Sequence, residues 1–171
     1  MRIPRHYENL QLLHENTLPD RAYYIPASRP MGPLVENRAA SDRMQMLTGE
    51  WRFRYLPSIY DLDGGFLDPS FQPEAFDPIA VPSTWQNTGY DAHQYSNIRY
   101  PFPFDPPYVP QDNPCGIYLR AFDYQMDDAA PEAYLNFEGV DSCFYVWLNG
   151  TYVGYSQVSH ATSEFSVTEF L

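Results

Sequence analysis

Three observations predict an all-β sandwich of short strands. The strongest lies in residues 137–156, where two runs rich in aromatic and β-branched residues flank Asn149-Gly150, a dipeptide that readily takes the positive φ angles of a type I′ turn. A β-hairpin is predicted there. Along its first arm Phe144, Val146 and Leu148 share one face, with Cys143, Tyr145 and Trp147 on the other, so both faces are expected to be covered, as in the middle of a sandwich. The second observation is composition: 17% aromatic residues, led by 15 Tyr and 11 Phe, together with 17 Pro, argue for many strands joined by proline-rich turns rather than a helical bundle. The third is Trp51-Arg52-Phe53-Arg54-Tyr55, whose period-two alternation of aromatic and Arg reads as a half-buried strand.

A chain of 171 residues holds one ordinary domain. Residues 1–45 have little periodicity and several prolines, and read as an N-terminal arm. Ala22-Tyr23-Tyr24-Ile25-Pro26 is too apolar for a free linker, so part of the arm is expected to lie against its own domain or a neighbouring subunit. Ser41-Asp42-Arg43-Met44 is expected to form a single helical turn. Residues 46–171 form the domain proper. After the strand at Trp51, a turn-rich connection passes through Gly64-Gly65, and Ile79-Ala80-Val81-Pro82 gives a short strand ended by proline. Residues 83–114 have no stable period and read as ordered loops, because some 30 unstructured residues inside a compact domain are improbable unless they serve a site. Strands are then predicted at residues 116–122 and 133–137, before the hairpin, with a last short strand or turn at residues 163–168.

The formal net charge is −12 and the sequence pI about 4.5, a field that repels phosphate backbones and anionic lipid. Nucleic acid and membrane are therefore not expected partners. Every basic residue is Arg, which either favours charge pairs at structured interfaces or reflects genomic base composition. Cys115 and Cys143 make neither a disulfide framework nor a zinc motif, and read as reduced structural thiols. The first nine residues lack the apolar run of a signal peptide, and no segment approaches the ~20 apolar residues of a membrane span. A soluble, cytoplasmic protein is expected.

Glycoside hydrolysis needs two carboxyl groups facing each other across ~5 to 9.5 Å. Asp105, Asp112, Glu138, Asp141 and Glu164 are candidates, but in so acidic a chain surface and turn-capping roles are the simpler account. His6, His14, His93 and His160 lie far apart without HExxH or His-x-His spacing, a poor basis for a metal site or a His-activated nucleophile. Glycine-rich phosphate loops are absent. The segment Trp85-Gln86-Asn87-Thr88-Gly89-Tyr90-Asp91 with Tyr95-Ser96-Asn97-Ile98-Arg99-Tyr100 stands out. Aromatic rings interleaved with amides suit a sugar site, since rings stack on C–H surfaces and amides bond hydroxyls. The competing account makes most of these rings core and lets the amides satisfy loop backbone.

These residues also carry a resemblance. Trp51-Arg52-Phe53-Arg54-Tyr55, Val81-Pro82-Ser83-Thr84-Trp85-Gln86, Gly89-Tyr90-Asp91, Tyr95-Ser96-Asn97-Ile98-Arg99-Tyr100-Pro101-Phe102-Pro103, Asp112-Asn113-Pro114, Phe137-Glu138-Gly139-Val140-Asp141-Ser142, Asn149-Gly150, Val153-Gly154-Tyr155-Ser156-Gln157 and Ser163-Glu164-Phe165 occur in the order seen in large bacterial β-galactosidases of glycoside hydrolase family 2. The likeness runs from about residue 16 to the end. It implies a jelly-roll β-sandwich similar to galactose-binding domains, ahead of a catalytic barrel that carries the catalytic glutamates and principal metal ligands. A barrel alone needs ~250 residues, so no catalytic residue and no cofactor are expected in this chain, with Mg2+ and Na+ belonging to the complete enzyme.

By the same resemblance Asn97 points at galactosyl hydroxyls, and the position of Val158, often Asp in the family, helps with substrate and sodium. Valine has no side-chain oxygen to offer a cation. The arm around residues 22–26 matches one that supports subunit contacts in relatives, implying a homo-oligomer and contacts with the remaining enzyme domains. Family members continue past the Ser163-Glu164-Phe165 segment, so the jelly-roll here is expected to lack its last strands. The implied function is a wall of a galactoside pocket in a retaining glycosidase; a free-standing carbohydrate-binding module and a complementing interaction subunit are the alternatives.

Overall fold

In a computed structural model, residues 3–68, 70–71 and 73–171 are described. The strands are β1 (His14–Glu15), β2 (Gly49–Leu56), β3 (Asp77–Val81), β4 (Cys115–Leu119), β5 (Tyr134–Phe137), β6 (Cys143–Leu148), β7 (Thr151–Gln157) and β8 (Ser163–Ser166). They form antiparallel sheets in the orders β1-β7-β6, β3-β2-β4 and β5-β8. The described helical elements are short 3-10 turns. This is the all-β architecture the composition and alternation predict.

The hairpin forms as its turn chemistry requires. Asn149 and Gly150 have φ of 51° and 77°, Leu148 pairs with Thr151, and the ladder runs back to Cys143 opposite Gln157, with a bulge between Val146 and Trp147. Both faces of β6 are covered. Val146 joins Ala133, Val153, Phe165 and Val167 in one core cluster, with Phe144 and Leu148 packed against it. On the opposite face the Trp147 ring meets Phe66 edge-on at 5.7 Å, and Tyr145 lies 4.7 Å from Tyr155. Phe66 also packs on the second cluster, Leu56, Phe76 and Ile117, so one phenyl ring joins the β1-β7-β6 sheet to the apolar layer beneath β2 and β4.

Strand β2 keeps the predicted alternation: Phe53 is fully buried while Arg52 and Arg54 are exposed. Its partner β4 ends at Leu119 rather than reaching residue 122. The physical reason is at Arg120, whose guanidinium turns back to donate to the Glu50 carbonyl, so the chain leaves the ladder there.

Part of the arm is a strand of the sandwich. β1 pairs His14 with Ser156 and Glu15 with Tyr155, Thr17 bridges to Phe165, and the Leu18 N–H donates to the Glu164 carbonyl at 2.8 Å. Residues 14–18 therefore stitch β7 to β8. The close approach depends on Gly154, where a Cβ would lie 2.5 Å from the Glu15 carbonyl oxygen and 2.6 Å from the Phe165 ring. The His14 ring Nδ1 sits 2.8 Å from Ser156 Oγ, itself 2.8 Å from Ser163 Oγ. The helical turn expected at Ser41–Met44 is a simple hydrogen-bonded turn instead, because the Ser41 hydroxyl donates to the Pro26 carbonyl and accepts the Arg43 N–H. The 3-10 turns of this region precede it, at Gly32–Glu36 and Arg38–Ala40.

Candidate functional site

The segment singled out for its interleaved rings and amides divides into an anchored base and a projecting loop. Its base is the 3-10 turn Trp85–Thr88. The Trp85 ring lies 6.0 Å from Phe53 and meets Tyr55 edge-on at 5.6 Å. Gly116 on β4 makes room for this packing, since a Cβ there would fall 2.6 Å from both the Phe53 and Trp85 rings. Tyr90 packs edge-on against Phe53 at 4.9 Å and stacks on Tyr55 at 6.0 Å, while its hydroxyl donates to Asp77 Oδ2 at 2.9 Å. Burial pushes the Tyr90 phenol above its ordinary pKa, and the hydrogen bond to Asp77 adds to the shift. Trp85 and Tyr90 are thus structural anchors.

Beyond them residues 92–106 run over the surface. Tyr95, Ile98, Tyr100 and Phe104 keep 73, 80, 72 and 76% of their surface exposed. The Tyr100 and Phe104 rings lie 5.5 Å apart at 36°, so they form one apolar face. Asn97 sits in the turn between Tyr95 and Tyr100, is exposed, and its amide has no hydrogen-bond partner among the described residues. Free aromatic faces supply stacking and a free amide supplies one donor pair and one acceptor, the groups a polyhydroxylated ligand needs.

Val158, the other residue marked from sequence, lies just past β7 with φ of 86°. Its side chain is half exposed, and its carbonyl accepts the Ala161 N–H at 3.0 Å to close a turn. A left-handed φ at a β-branched residue is a true outlier, and no sequence pattern announced it. Gly139 comes beside this turn, its missing Cβ 3.1 Å from the Ser159 carbonyl. No hydrogen bond or ring contact among the described residues joins the Val158 turn to the Asn97 loop.

Two of the candidate carboxylates have other partners. Glu164 takes a two-pronged contact from Arg21, at 2.9 and 2.5 Å, and one from Asn136 at 3.3 Å. The Arg21 hydrogen bond holds the Glu164 carboxyl below its ordinary pKa, the wrong direction for a general acid. Glu138 is paired with Arg38, and Asp105, Asp112 and Asp141 are exposed. His6 lies 3.1 Å from Glu15 and His14 bonds Ser156, whereas His93 and His160 are exposed. The described residues gather no group of three His, Cys, Asp or Glu that could hold a metal ion. Burial pushes the Cys115 thiol up to about 11, and burial likewise raises Cys143, so both are poor nucleophiles.

An all-β fold that holds out exposed rings and an unpaired amide on an anchored loop presents the groups that carbohydrate-binding sandwiches use. Comparison with known proteins makes this specific: residues 44–171 match the family described as Glycosyl hydrolases family 2, sugar binding domain, and the chain belongs to that family. It is 46% identical over 171 residues to the β-galactosidase of Actinobacillus pleuropneumoniae, which covers all of this chain and 16% of that protein. With the β-galactosidase of Staphylococcus xylosus it shares 46% over 166 residues, 96% of this chain and 16% of the relative. The corresponding figures for the β-galactosidase of Priestia megaterium are 35% over 173 residues, 98% and 17%. The chain thus spans 16–17% of the length of these relatives. No described helix is long and apolar enough to cross a membrane.

Proposed function

We propose that this chain is the N-terminal part of a cytoplasmic β-galactosidase, and that its 92–106 loop forms part of the wall of the galactoside pocket. The observation that carries this reading is the unpaired, exposed Asn97 amide held between free aromatic faces on a loop anchored by Trp85 and Tyr90. A wall built this way orients a sugar by bonding its hydroxyls and stacking its C–H face, while retaining hydrolysis proceeds on carboxyl groups outside this chain. The arm, with Tyr23 and Tyr24 more than half exposed, provides subunit contacts in a homo-oligomer. Of the Mg2+ and Na+ that such an enzyme would use, Na+ gains no side-chain ligand at position 158: the Val158 side chain has no oxygen and its carbonyl already closes the 158–161 turn.

The test is Asn97→Ala in the complete enzyme. Loss of a hydroxyl contact is expected to lower kcat/KM for a β-galactoside by about 5- to 150-fold, the equivalent of ~1 to 3 kcal/mol. Unchanged kinetics would remove Asn97 from the pocket. Titration of the isolated chain with galactose is expected to show no measurable affinity; tight binding would instead support a free-standing carbohydrate-binding module.

A further inference from the structure

The face of β2 that looks into the sandwich is covered at one end and bare at the other. Residues directly opposite each other on antiparallel strands share a face, so Leu56 with Cys115, Arg54 with Ile117 and Arg52 with Leu119 lie on one side of the β2–β4 pair. At the Leu56 end this side is core: Leu56 and Ile117 are buried with Phe76, and Leu62, Phe66 and Phe71 pack on them. Toward the other end the cover stops, and Arg52 and Arg54 are exposed in core-facing positions. The opposite side of β2 has no such break, because Trp51, Phe53 and Tyr55 pack there against Tyr118, Trp85 and Tyr90. Charge makes the gap specific. Arg5, Arg21, Arg38 and Arg43 each pair with a carboxylate, whereas Arg52 and Arg54 have no side-chain partner among the described residues. Arg29 and Arg99 are also unpaired but lie in loops; Arg52 and Arg54 are fixed on a strand. Glu50 shares their face and forms no ion pair with them, and Arg120, next to Leu119, donates to the Glu50 carbonyl rather than to an acid.

We infer that Arg52 and Arg54 are the docking site for an extended acidic segment of the polypeptide that follows residue 171 in the longer protein, a segment that covers the bare end of this face. The inference rests on the reading of this chain as the N-terminal part of a β-galactosidase. The relatives supply ample polypeptide for such a cover, since the chain spans 16–17% of their length. The bare end is continuous with the Leu56 and Ile117 cluster, so cover laid there extends an existing core. A second copy of this chain is the poorer occupant, because a net charge of −12 on each copy opposes their approach. Spacing defines the segment further. Alternate residues of a strand lie about 6.7 Å apart, so carboxylates at alternate positions of an extended segment meet Arg52 and Arg54 one to one. Each guanidinium can then take a two-pronged contact, and the half-buried Leu119 offers apolar surface beside it.

The composition supplies the test. Residues 1–171 contain no lysine, so Arg52→Lys and Arg54→Lys, made separately in the full-length protein, each place a single lysine in this region. A water-soluble carbodiimide joins a lysine amine only to a carboxylate in contact with it, and mass spectrometry of the digested protein identifies the acid. Each introduced lysine is expected to be joined to an Asp or Glu beyond residue 171 of the same polypeptide, the two acids lying two residues apart. Each crosslink is expected to be lost when the acid it reaches is changed to its amide. A mixture of isotope-light and isotope-heavy protein separates links within a chain from links between copies, and tryptophan emission equal to that of the parent shows that β2 keeps its packing. Links to Glu50 alone, or to no carboxylate in either variant, would overturn the inference, and links between copies would assign the face to a second copy instead. A full-length product that ends at residue 171 would remove this inference together with the reading beneath it. A longer product that hydrolyses a β-galactoside but gives no such link would remove this inference alone.

Discussion

Val158 and Gly116 show what single positions contribute. Valine at φ 86° holds its β-branched side chain against the backbone in a region that glycine occupies freely. Val158→Gly is expected to raise the stability of the fold by ~1 kcal/mol, the relief of local strain less the extra entropy of the unfolded chain; a lower urea midpoint would contradict it. Gly116→Ala runs the other way. A methyl group 2.6 Å from the Phe53 and Trp85 rings is expected to destabilise by ~1 to 3 kcal/mol through overpacking and to shift tryptophan emission as Trp85 is displaced. Glu164 adds a pH dependence. The Arg21 hydrogen bond lowers its pKa in the folded chain, so its contribution is complete above the ordinary value of 4.5 and is lost as pH falls through that value and below the folded one. Glu164→Gln is therefore expected to flatten the acid limb of a stability-versus-pH curve, and an unchanged limb would argue that the pair is too exposed to matter. None of these effects is written in residue order: that Val158 takes a left-handed φ follows from the turn it closes with Ala161.

At the scale of elements, the hairpin and β2 were legible because side-chain period, β-propensity and turn residues agree within a few neighbours. Asn149-Gly150 sets the register of β6 and β7 locally, and the Trp51, Phe53, Tyr55 alternation shows which side of β2 is packed. Strand β1 was hidden. His14 and Glu15 have no period of their own, and they are a strand only because β7 offers an edge and Gly154 lets the chain come close. Gly154→Ala is accordingly expected to detach residues 14–18, seen as faster hydrogen exchange at the Leu18 amide, which now donates to Glu164; retained protection would show that the strand tolerates the methyl group. The projecting loop was legible only by half. Its mix of rings and amides pointed to it, but Trp85 and Tyr90 prove to be half-buried supports while Tyr95, Tyr100 and Phe104 face outward, a division that depends on which rings meet Phe53.

For the whole molecule, a net charge of −12 means self-repulsion in the folded state, so added salt is expected to raise the melting temperature of the sandwich. A melting temperature that falls with salt would show that the ion pairs outweigh the repulsion. What the amino-acid sequence determined by itself was the β class, the hairpin and its register, the alternating strand at Trp51 and the family, because these rest on short-range periodicity and on ordered motifs spread along the chain. The tertiary structure alone decided that Glu164 and Glu138 are claimed by Arg21 and Arg38, which rings stay free beside Asn97, and that residues 14–18 bridge β7 and β8. Each of those outcomes joins residues as much as 143 positions apart, and pairing at such separations is chosen by how the sheets pack, about which local pattern carries no information.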